Sequence, residues 1–337
     1  MFRKIINTSL LILLVLAVVF SSVSCEKLKI SNLKANHHFT NANAQFTDGK
    51  FSDAIEEYEL ALSFNPNLIQ AYRFLGESYK NLYKPAVETE KNKEIETNAL
   101  EALTKAYEID PTNKGVIHSL GDMYDKMRNF NEAEKLYLRI LEMEPTNMGN
   151  YYVVAEFYKR YAGSVGEEEE EDNGVKTPFQ KAEEMYLRRI EADPTNAQGY
   201  AYIAQFYENI APEPEFDKGE FYHRKRIALN PEDAEAWLAV GVNRWSKAYR
   251  IQAKLTKQER IDLANDSELA LKKANELDDR YPEPYSWLSV LYKSVFTKLY
   301  PDRAKRYEDD ADIYAQRFQT LRKSEAQKKK LEKELVK

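Results

Sequence analysis

The sequence contains few residues that interrupt helices, and it has a single cysteine. Its 337 residues include 11 glycines, 12 prolines and one cysteine. Charged residues make up 31% and aromatic residues 12%, with 23 tyrosines among them. Few helix breakers together with many charged and apolar residues favour a helical protein. One thiol excludes an internal disulfide and a cysteine-based zinc cluster.

The chain also lacks an excess of basic residues. It has 49 lysines and arginines against 55 acidic residues, a formal net charge of −6. Because binding to phosphates requires a basic field, this balance argues against nucleic acid as the main partner. The length allows two ordinary domains or one long repeat array.

Catalytic motifs are scarce. The adjacent His37 and His38 would point about 100° apart on a helix and would not converge on one ion. There is no HExxH motif, no glycine-rich phosphate loop and no nucleophile elbow. Paired carboxylates on glutamate-rich helices serve some enzymes, but in this composition they are typical of solvated faces. We therefore expect no catalysis, cofactor, metal or small-molecule substrate.

The first 24 residues have the three parts of a secretory signal. Arg3 and Lys4 form a positive start, Leu10–Phe20 is an unbroken apolar run, and small residues precede the only cysteine, Cys25. The apolar run has eleven residues, whereas a transmembrane helix needs about 20. We predict a signal peptide over residues 1–24.

This end of the chain resembles a bacterial lipoprotein signal, whose cysteine becomes the lipid-bearing first residue of the mature protein. Ser22 stands where such signals usually have leucine. Ordinary cleavage near Cys25 and an uncleaved membrane anchor are the alternatives. The resemblance implies lipidation of Cys25, a linker over residues 25–34 and a place in the bacterial cell envelope. By the same analogy, Glu26 favours the outer membrane, facing the periplasm.

One short phrase recurs along the rest of the chain. Pro-Thr-Asn begins at Pro111, Pro145 and Pro194, and related runs end at Pro66 and Pro231. Proline ends a helix because it lacks a backbone N–H and restricts the preceding residue. An Asn or Asp shortly afterwards can cap the next helix; the candidates are Asn113, Asn147, Asn196 and Asp233.

Lys114–Asn147 shows the repeated unit best. Leu120-Gly121, Tyr124, Ala133, Tyr137 and Pro145 follow one another in this stretch, which resembles the tetratricopeptide repeat, a 34-residue pair of antiparallel helices. The resemblance implies an all-α fold: a right-handed α-solenoid of six or seven pairs over residues 35–323. A lysine-rich helical tail over residues 324–337 follows it, either as a polar end cap or as a contact for anionic lipid.

The other copies repeat small residues where the two helices of a pair would touch. The first helices have Ala42, Gly76, Gly121, Ala155, Ala204, Gly241 and Ser289, and the second helices have Ala54, Ala99, Ala133, Ala182, Gly219 and Ser267. His223 and Arg226 replace the aromatic and small residues expected in the fifth copy. We therefore predict that its second helix packs loosely or faces solvent.

Alternate copies contain inserts between their two helices. The two small positions lie 12 residues apart in copies one and three, but 23, 27 and about 26 apart in copies two, four and six. We predict inserted loops on one rim, with longer helices in copy six. The insert of copy four contains Glu167–Glu171 and Asp172, which form either a docking strip for a basic partner or divalent cation or a solvated loop.

The family resemblance implies that a protein or peptide partner binds a concave surface lined by first helices. Carried over to this chain, the groove runs from mixed charge to an apolar end near Trp245, which is either an anchor or packed under the copy-six insert. Acids at Glu77 and Asp122 argue against a clamp for a C-terminal carboxylate. The groove residues are Arg73, Glu77, Lys80, His118, Asp122, Asp125, Tyr152, Glu156, Lys159, Arg160, Gln198, Gln205, Glu208, Leu238, Val242 and Trp245.

The sequence therefore predicts a lipid-anchored, extracytoplasmic scaffold that binds a protein or peptide and performs no chemistry. The first alternative is a permanent structural subunit of a larger membrane-associated complex. The second is an enzyme or glycan-binding module that uses the acidic part of the groove.

Overall fold

A computed structural model of the protein describes residues 29–165, 176–209 and 213–335. Within these ranges the chain is helical and contains no strand. The predicted signal peptide and Cys25 lie outside the described residues. The helices are α1 (29–47), α2 (Phe51–Phe64), α3 (Ile69–Leu82), α4 (Glu90–Ile109), α5 (Lys114–Lys126), α6 (Phe130–Met143), α7 (Met148–Val165), α8 (Pro178–Ala192), α9 (Ala197–Glu208), α10 (Phe216–Leu229), α11 (Ala234–Arg250), α12 (Lys257–Leu277), α13 (Glu283–Leu291), α14 (Thr297–Leu299) and α15 (Ala304–Leu335).

The helices form two compact units. The N-terminal unit spans Met1–Glu168 and includes α1 to α7, and the C-terminal unit spans Glu169–Lys337 and includes α8 to α15. The division falls in the insert of the fourth copy. Within each unit, a helix packs mainly against its neighbours in the chain, such as α3 with α4 and α11 with α12. Stacked helical pairs of this kind confirm the all-α repeat fold.

Small residues allow the paired helices to approach closely. The predicted small positions are all buried. At Gly76, an added Cβ would lie 2.5 Å from Leu103 Cγ. At Gly241 it would lie 2.6 Å from Leu271 Cγ. Larger side chains would therefore force these helix pairs apart.

The recurring Pro-Thr-Asn phrase ends one helix and begins the next. The side chain of Asn113 accepts a hydrogen bond from Val116 N, and that of Asn196 accepts one from Gln198 N. Before the proline, Asp110 accepts hydrogen bonds from the backbone and hydroxyl of Thr112. These bonds hold the pKa of the Asp110 carboxyl below its ordinary value. The predicted caps are thus confirmed at both positions.

The insert of copy two lengthens a helix more than it forms a loop. Helix α4 has 20 residues, and the preceding turn is held by the buried Asn92. Its side chain accepts from Lys84 N and donates to Lys84 O and Val87 O at 2.8–2.9 Å. The insert thus forms a loop over residues 83–89, longer than the 127–129 connection of copy three, and also lengthens α4. The bonds of Asn92 satisfy the loop's backbone and hold it against α4.

Copy six lengthens both of its helices, as predicted. Helix α11 has 17 residues and α12 has 21. A capping box between Thr256 and Glu259 starts α12. In copy four, the acidic run Glu167–Asp172 lies outside the described residues.

The second helix of copy five does not pack loosely. His223 is 3% exposed, and its Nε2 lies 3.0 Å from Glu208 Oε1. Arg226 forms ion pairs with Asp233 at 2.9 Å and Glu235 at 3.2 Å. The prediction from these two residues is wrong, because His223 is buried and both side chains contact carboxylates on the adjoining helix and turn. The buried His223 Nδ1 and Arg226 Nε have no hydrogen-bond partner among the described residues.

The outer helices extend past the predicted limits of the solenoid. Helix α1 already includes residues 29–34, which the sequence analysis places in the linker. Helix α15 runs without interruption across residue 323, and its first half packs Tyr307 and Tyr314 against Tyr292. None of the described helices combines the length and the apolar character needed to span a bilayer.

Candidate functional site

The predicted groove residues are divided between the two units. We call the surface formed by α3, α5 and α7 the N-terminal face, and the surface formed by α9, α11 and α13 the C-terminal face. Each consists of the first helices of successive pairs. The predicted residues on the N-terminal face are Arg73, Glu77, Lys80, His118, Asp122, Asp125, Tyr152, Glu156, Lys159 and Arg160.

Ion pairs join the charged residues of the N-terminal face. Lys80 Nζ lies 2.8 Å from Glu77 on the same helix and 3.3 Å from Asp122 on α5. The other oxygen of Asp122 accepts a 2.7 Å hydrogen bond from the hydroxyl of Tyr137. Burial and the nearby Asp122 carboxylate raise the pKa of this hydroxyl. Asp122 therefore links two first helices and the second helix α6.

The same pattern continues onto α7. Arg160 Nη2 lies 2.5 Å from Asp125 on α5, and Lys159 lies 2.7 Å from Glu156. On α3, Arg73 donates to Ser119 at 3.1 Å, and its guanidinium lies over the ring of Phe74. Most of the charge predicted on this surface is thus already engaged within the protein.

A cavity of about 360 Å³ opens on the N-terminal face beside Lys80, Asp122, Asp125 and Arg160. Lys126 also lines it and donates to Lys80 O at 2.6 Å. Burial, and then the positive charge of Lys80, lower the pKa of Lys126. Its lining residues are all charged, and its cations already have oxygen partners.

Two other predicted residues of this face are partly buried. His118 on α5 and Tyr152 on α7 are both half-buried. Burial lowers the pKa of His118, which favours the neutral ring.

The C-terminal face brings four predicted residues together. Gln205 and Glu208 on α9 and Leu238 and Val242 on α11 line a cavity of about 280 Å³. Gln198, also predicted, is exposed in the first turn of α9 and is not among the lining residues. On α11 the lining is apolar at Leu238, Ala239 and Val242 and charged at Glu235, and on α9 it is polar.

Residues outside the first helices complete this cavity. His223 and Arg226 come from α10, and Tyr281 from the turn before α13. Glu208 accepts a 2.5 Å hydrogen bond from Asn243 and also lies beside His223. The sequence analysis assigned His223 and Arg226 to a loosely packed helix and did not include Tyr281 in the groove.

Trp245 belongs to an aromatic cluster on the C-terminal face. Its ring lies 4.9 Å from that of Trp287 on α13 and is stacked on Tyr249 at 5.2 Å, measured between centroids. Its Nε1 donates to Ser294 Oγ at 2.9 Å. Trp245 and Trp287 are half-buried, and Tyr249 is 37% exposed. We call Trp245, Tyr249 and Trp287 the aromatic cluster.

The hydrogen bond to Ser294 depends on an irregular segment. After α13 the chain continues as a π-helical segment, Tyr292–Phe296. Such segments are rare and are frequent at functional sites. Trp245 thus makes its ring contact and its hydrogen bond across to the next first helix. Trp245 is half-buried and also packs against the core cluster that includes Ala264 of the copy-six insert. That it anchors a partner stays a prediction.

One stretch of the N-terminal unit matches a known repeat. Residues 115–147 match the tetratricopeptide repeat. This stretch includes Gly121, Ala133 and Tyr137, whose contacts join α5 and α6. None of the curated proteins compared with the chain matches it in sequence.

Solved structures of repeat proteins align with parts of this chain. The C-terminal part of a tetratricopeptide-repeat-containing protein from Cytophaga hutchinsonii has a TM-score of 0.52 and 14% identity, over 82% of this chain and 93% of that one. A tetratricopeptide repeat protein from Parabacteroides merdae has a TM-score of 0.42 and 12% identity, over 86% of this chain and 93% of that one. YrrB, described as a tetratricopeptide repeat protein with an unusual peptide-binding site, has a TM-score of 0.36 and 17% identity, over 59% of this chain and 88% of that one. The first of these supports the helical-repeat fold.

Within residues 29–165, 176–209 and 213–335, no group of three His, Cys, Asp or Glu side chains is placed to hold an ion. The two faces offer hydrogen-bonding, charged and apolar side chains.

Proposed function

We propose that the protein is a scaffold that binds a protein or peptide partner through its first-helix faces and performs no chemistry. We further propose that a lipid on Cys25 anchors it outside the cytoplasm, in the bacterial cell envelope and on the periplasmic side of the outer membrane. The fold supports the first part, since a helical repeat presents a long preformed surface. The sequence pattern of residues 1–25 supports the second.

The aromatic cluster is the observation that supports partner binding best. Half-buried Trp and Tyr side chains offer a large apolar area together with a polar group, and such residues dominate the binding energy of many interfaces. The cavity beside Leu238 and Val242 lies on the same face. We therefore assign the anchoring contacts of the partner to the C-terminal face.

The N-terminal face has a different role in this proposal. Its carboxylates and cations are paired with one another, so a partner would have to replace existing ion pairs. Rim charges of this kind affect association rate and selectivity more than affinity. We assign partner selection, and not anchoring, to the N-terminal face.

Capture of the partner from an envelope extract tests the assignment. We expect Trp245→Ala to reduce capture by more than tenfold, as for an interface anchor. Trp237→Ala is the matched control, because Trp237 is on the same helix but donates to Pro231 O. Glu156→Lys on the N-terminal face should change the salt dependence of capture more than its amount.

Several results would contradict the assignment. Equal capture by Trp245→Ala and the native protein, with unchanged melting temperatures, would remove the aromatic cluster from the interface. An equal loss in Trp237→Ala would show that the effect is not specific to the cluster. A partner present at one fixed stoichiometry in detergent extracts, with no free pool, would favour a permanent structural subunit instead.

Metabolic labelling tests the anchor. With a radiolabelled fatty acid, we expect label in the native protein and none in Cys25→Ser. Absence of label from the native protein would contradict lipidation. Fractionation of inner and outer membranes would then locate the labelled form.

A further inference from the structure

A second concave feature lies in the N-terminal unit, apart from the first-helix faces. It is a cleft of about 830 Å³ between α2 and α4, with α3 as its floor. Tyr72, Leu75 and Tyr79 of α3 line it. At 100° per residue, these side chains are turned by roughly 120° around α3 from Arg73 and Lys80. Its volume is in the range of ligand sites, about 300–1,000 Å³.

Three tyrosine rings contribute to the lining. Tyr72 and Tyr79 from α3 and Tyr124 from α5 all contribute, and each is half-buried. Along α4, the lining extends from Thr97 to Glu108, a helix length of about 16 Å. The cleft is therefore an elongated trough with phenol rings along it.

The cleft has a net negative charge. Glu59, Glu101 and Glu108 line it, with Lys105 as the one basic residue of the lining. The ammonium of Lys105 is already 3.0 Å from Glu108. Tyr79 donates to Glu59 at 3.0 Å. Burial, and then the charge of Glu59, raise the pKa of Tyr79 to about 12, which is consistent with a negative local field.

Cation–π contacts between arginine and aromatic rings occur elsewhere in the same unit. The guanidinium of Arg73 lies 5.0 Å from the ring centre of Phe74, and that of Arg139 lies 5.5 Å from Tyr107. Arginine is suited to such a place, because its planar group stacks on aromatic rings and pairs with carboxylates. In the cleft, phenol rings and carboxylates are present without an arginine among the lining residues.

We propose that this tyrosine-lined cleft binds arginine side chains of an extended segment of a partner polypeptide. The guanidinium stacks on a tyrosine ring and pairs with Glu59 or Glu101. A trough of about 16 Å accommodates roughly five residues of extended chain, so two arginines spaced by one residue reach it together. The inference is independent of the role assigned to the first-helix faces.

Fluorescence anisotropy with a defined probe tests the proposal. The probe is fluorescein-labelled Gly-Arg-Gly-Arg-Gly amide, and the matched probe has citrulline in place of arginine, with the same shape and no charge. We expect the arginine probe to bind the full chain at least tenfold more tightly than the citrulline probe. The double variant Glu59→Gln/Glu101→Gln should weaken its binding by about five- to tenfold, as expected for two partly exposed ion pairs.

A matched variant separates the cleft from general charge. Glu56→Gln/Glu142→Gln changes the net charge equally, and both residues are exposed in the same unit outside the cleft. It should retain native affinity. Equal binding of the citrulline probe, native affinity in the cleft variant, or an equal loss in the matched variant would each overturn the proposal. If free arginine amide displaced the probe as well as the unlabelled peptide does, at the same concentration of guanidinium groups, the occupant would not be a polypeptide segment.

Discussion

The two first-helix faces are built from equivalent helices but expose different chemistry. On the N-terminal face, Lys80 and Arg160 are joined to Asp122 and Asp125 across neighbouring helices. On the C-terminal face, the equivalent helices place Trp245 against Trp287 and leave Tyr249 partly exposed. The repeat fold therefore sets where side chains point but not what they offer to a partner.

The difference also indicates where a partner gains binding energy. When a partner covers a partly exposed ion pair, the gain in binding free energy is small, because the charges lose water without gaining new partners. Covering an aromatic cluster removes apolar surface from water, which is favourable at about 25 cal/mol per Å². The C-terminal face is therefore the better anchor, although both faces belong to the same kind of repeat.

The polar contact between the two helices of a pair is made by different residues in the two units. Tyr58 donates to Asn43 and Tyr137 donates to Asp122, each at 2.7 Å, from a second helix to the first helix of its pair. In the C-terminal unit, His223 contacts Glu208, also 15 residues earlier in the chain. An imidazole thus takes the place of a phenol and keeps the polar link between the paired helices.

The largest effect is expected at the close helix contacts. Gly76→Val and Gly241→Val each place a side chain against a buried leucine and should cost about 3 kcal/mol of unfolding free energy. All three tryptophans lie in the C-terminal unit. Circular dichroism and tryptophan fluorescence during denaturation can therefore distinguish the units: we expect Gly76→Val to shift the fluorescence transition less than Gly241→Val.

A solvent-exposed glycine provides the control for that comparison. Gly163 is exposed on α7, and a Cβ there would meet nothing within 4 Å. Gly163→Ala should raise the unfolding free energy by up to about 1 kcal/mol, because alanine favours the helix. Destabilisation by this change, or tolerance of valine at Gly76, would show that helix approach is not the limiting factor.

The next effect concerns the polar link between paired helices. Tyr137→Phe and His223→Phe each remove one partner of a carboxylate and should cost about 1 kcal/mol. Asp122 retains Lys80, and Glu208 retains Asn243, which limits the loss. Urea unfolding of both variants measures it. A cost in only one unit would show that histidine and tyrosine are not equivalent in this position.

The ion pair between Arg160 and Asp125 should contribute less. Arg160→Gln is expected to lower the unfolding free energy by at most about 1 kcal/mol, because the arginine side chain is 53% exposed. Salt should diminish the difference between variant and native protein. A larger loss that persists in high salt would mean that the pair is a structural requirement of the N-terminal face and not an adjustable charge.

The smallest effect is a pH dependence in the N-terminal unit. Burial lowers the pKa of His118 in the folded protein. The unfolded chain therefore takes up a proton first as pH falls through about 6.5, the ordinary histidine value, and stability decreases until the folded form is protonated as well. His118→Gln should flatten this part of the stability profile. An unchanged slope between pH 7 and 5 would contradict the assignment.

Local residue patterns predicted much of the fold because they act over short distances. Gly121 and Ala133 specify a close helix contact, and Asn113 specifies a helix start, whatever the rest of the chain does. The sequence did not predict how the insert of copy two folds, because the bonds of Asn92 to the backbone of Lys84 and Val87 depend on the turn that they stabilise. Similarly, His223 departs from the repeat pattern, and its role depends on Glu208.

Of the candidate site, the sequence predicted positions better than contacts. It placed Lys80, Asp122 and Trp245 on first helices, because helical periodicity determines which side of a helix a residue occupies. It did not show that Lys80 reaches Asp122, 42 residues away, or that Trp245 donates to Ser294, 49 residues away. Such pairings depend on the distance and angle between stacked helices.

The amino-acid sequence by itself thus determined helical pairs, their starts and stops, and the small residues at their contacts, because each depends on backbone geometry within one or two helices. Only the tertiary structure decided which charges neutralise one another and which aromatic rings remain partly exposed. Those outcomes are set by neighbours that are distant in the chain, and a side chain's partners determine what it can still offer to another molecule.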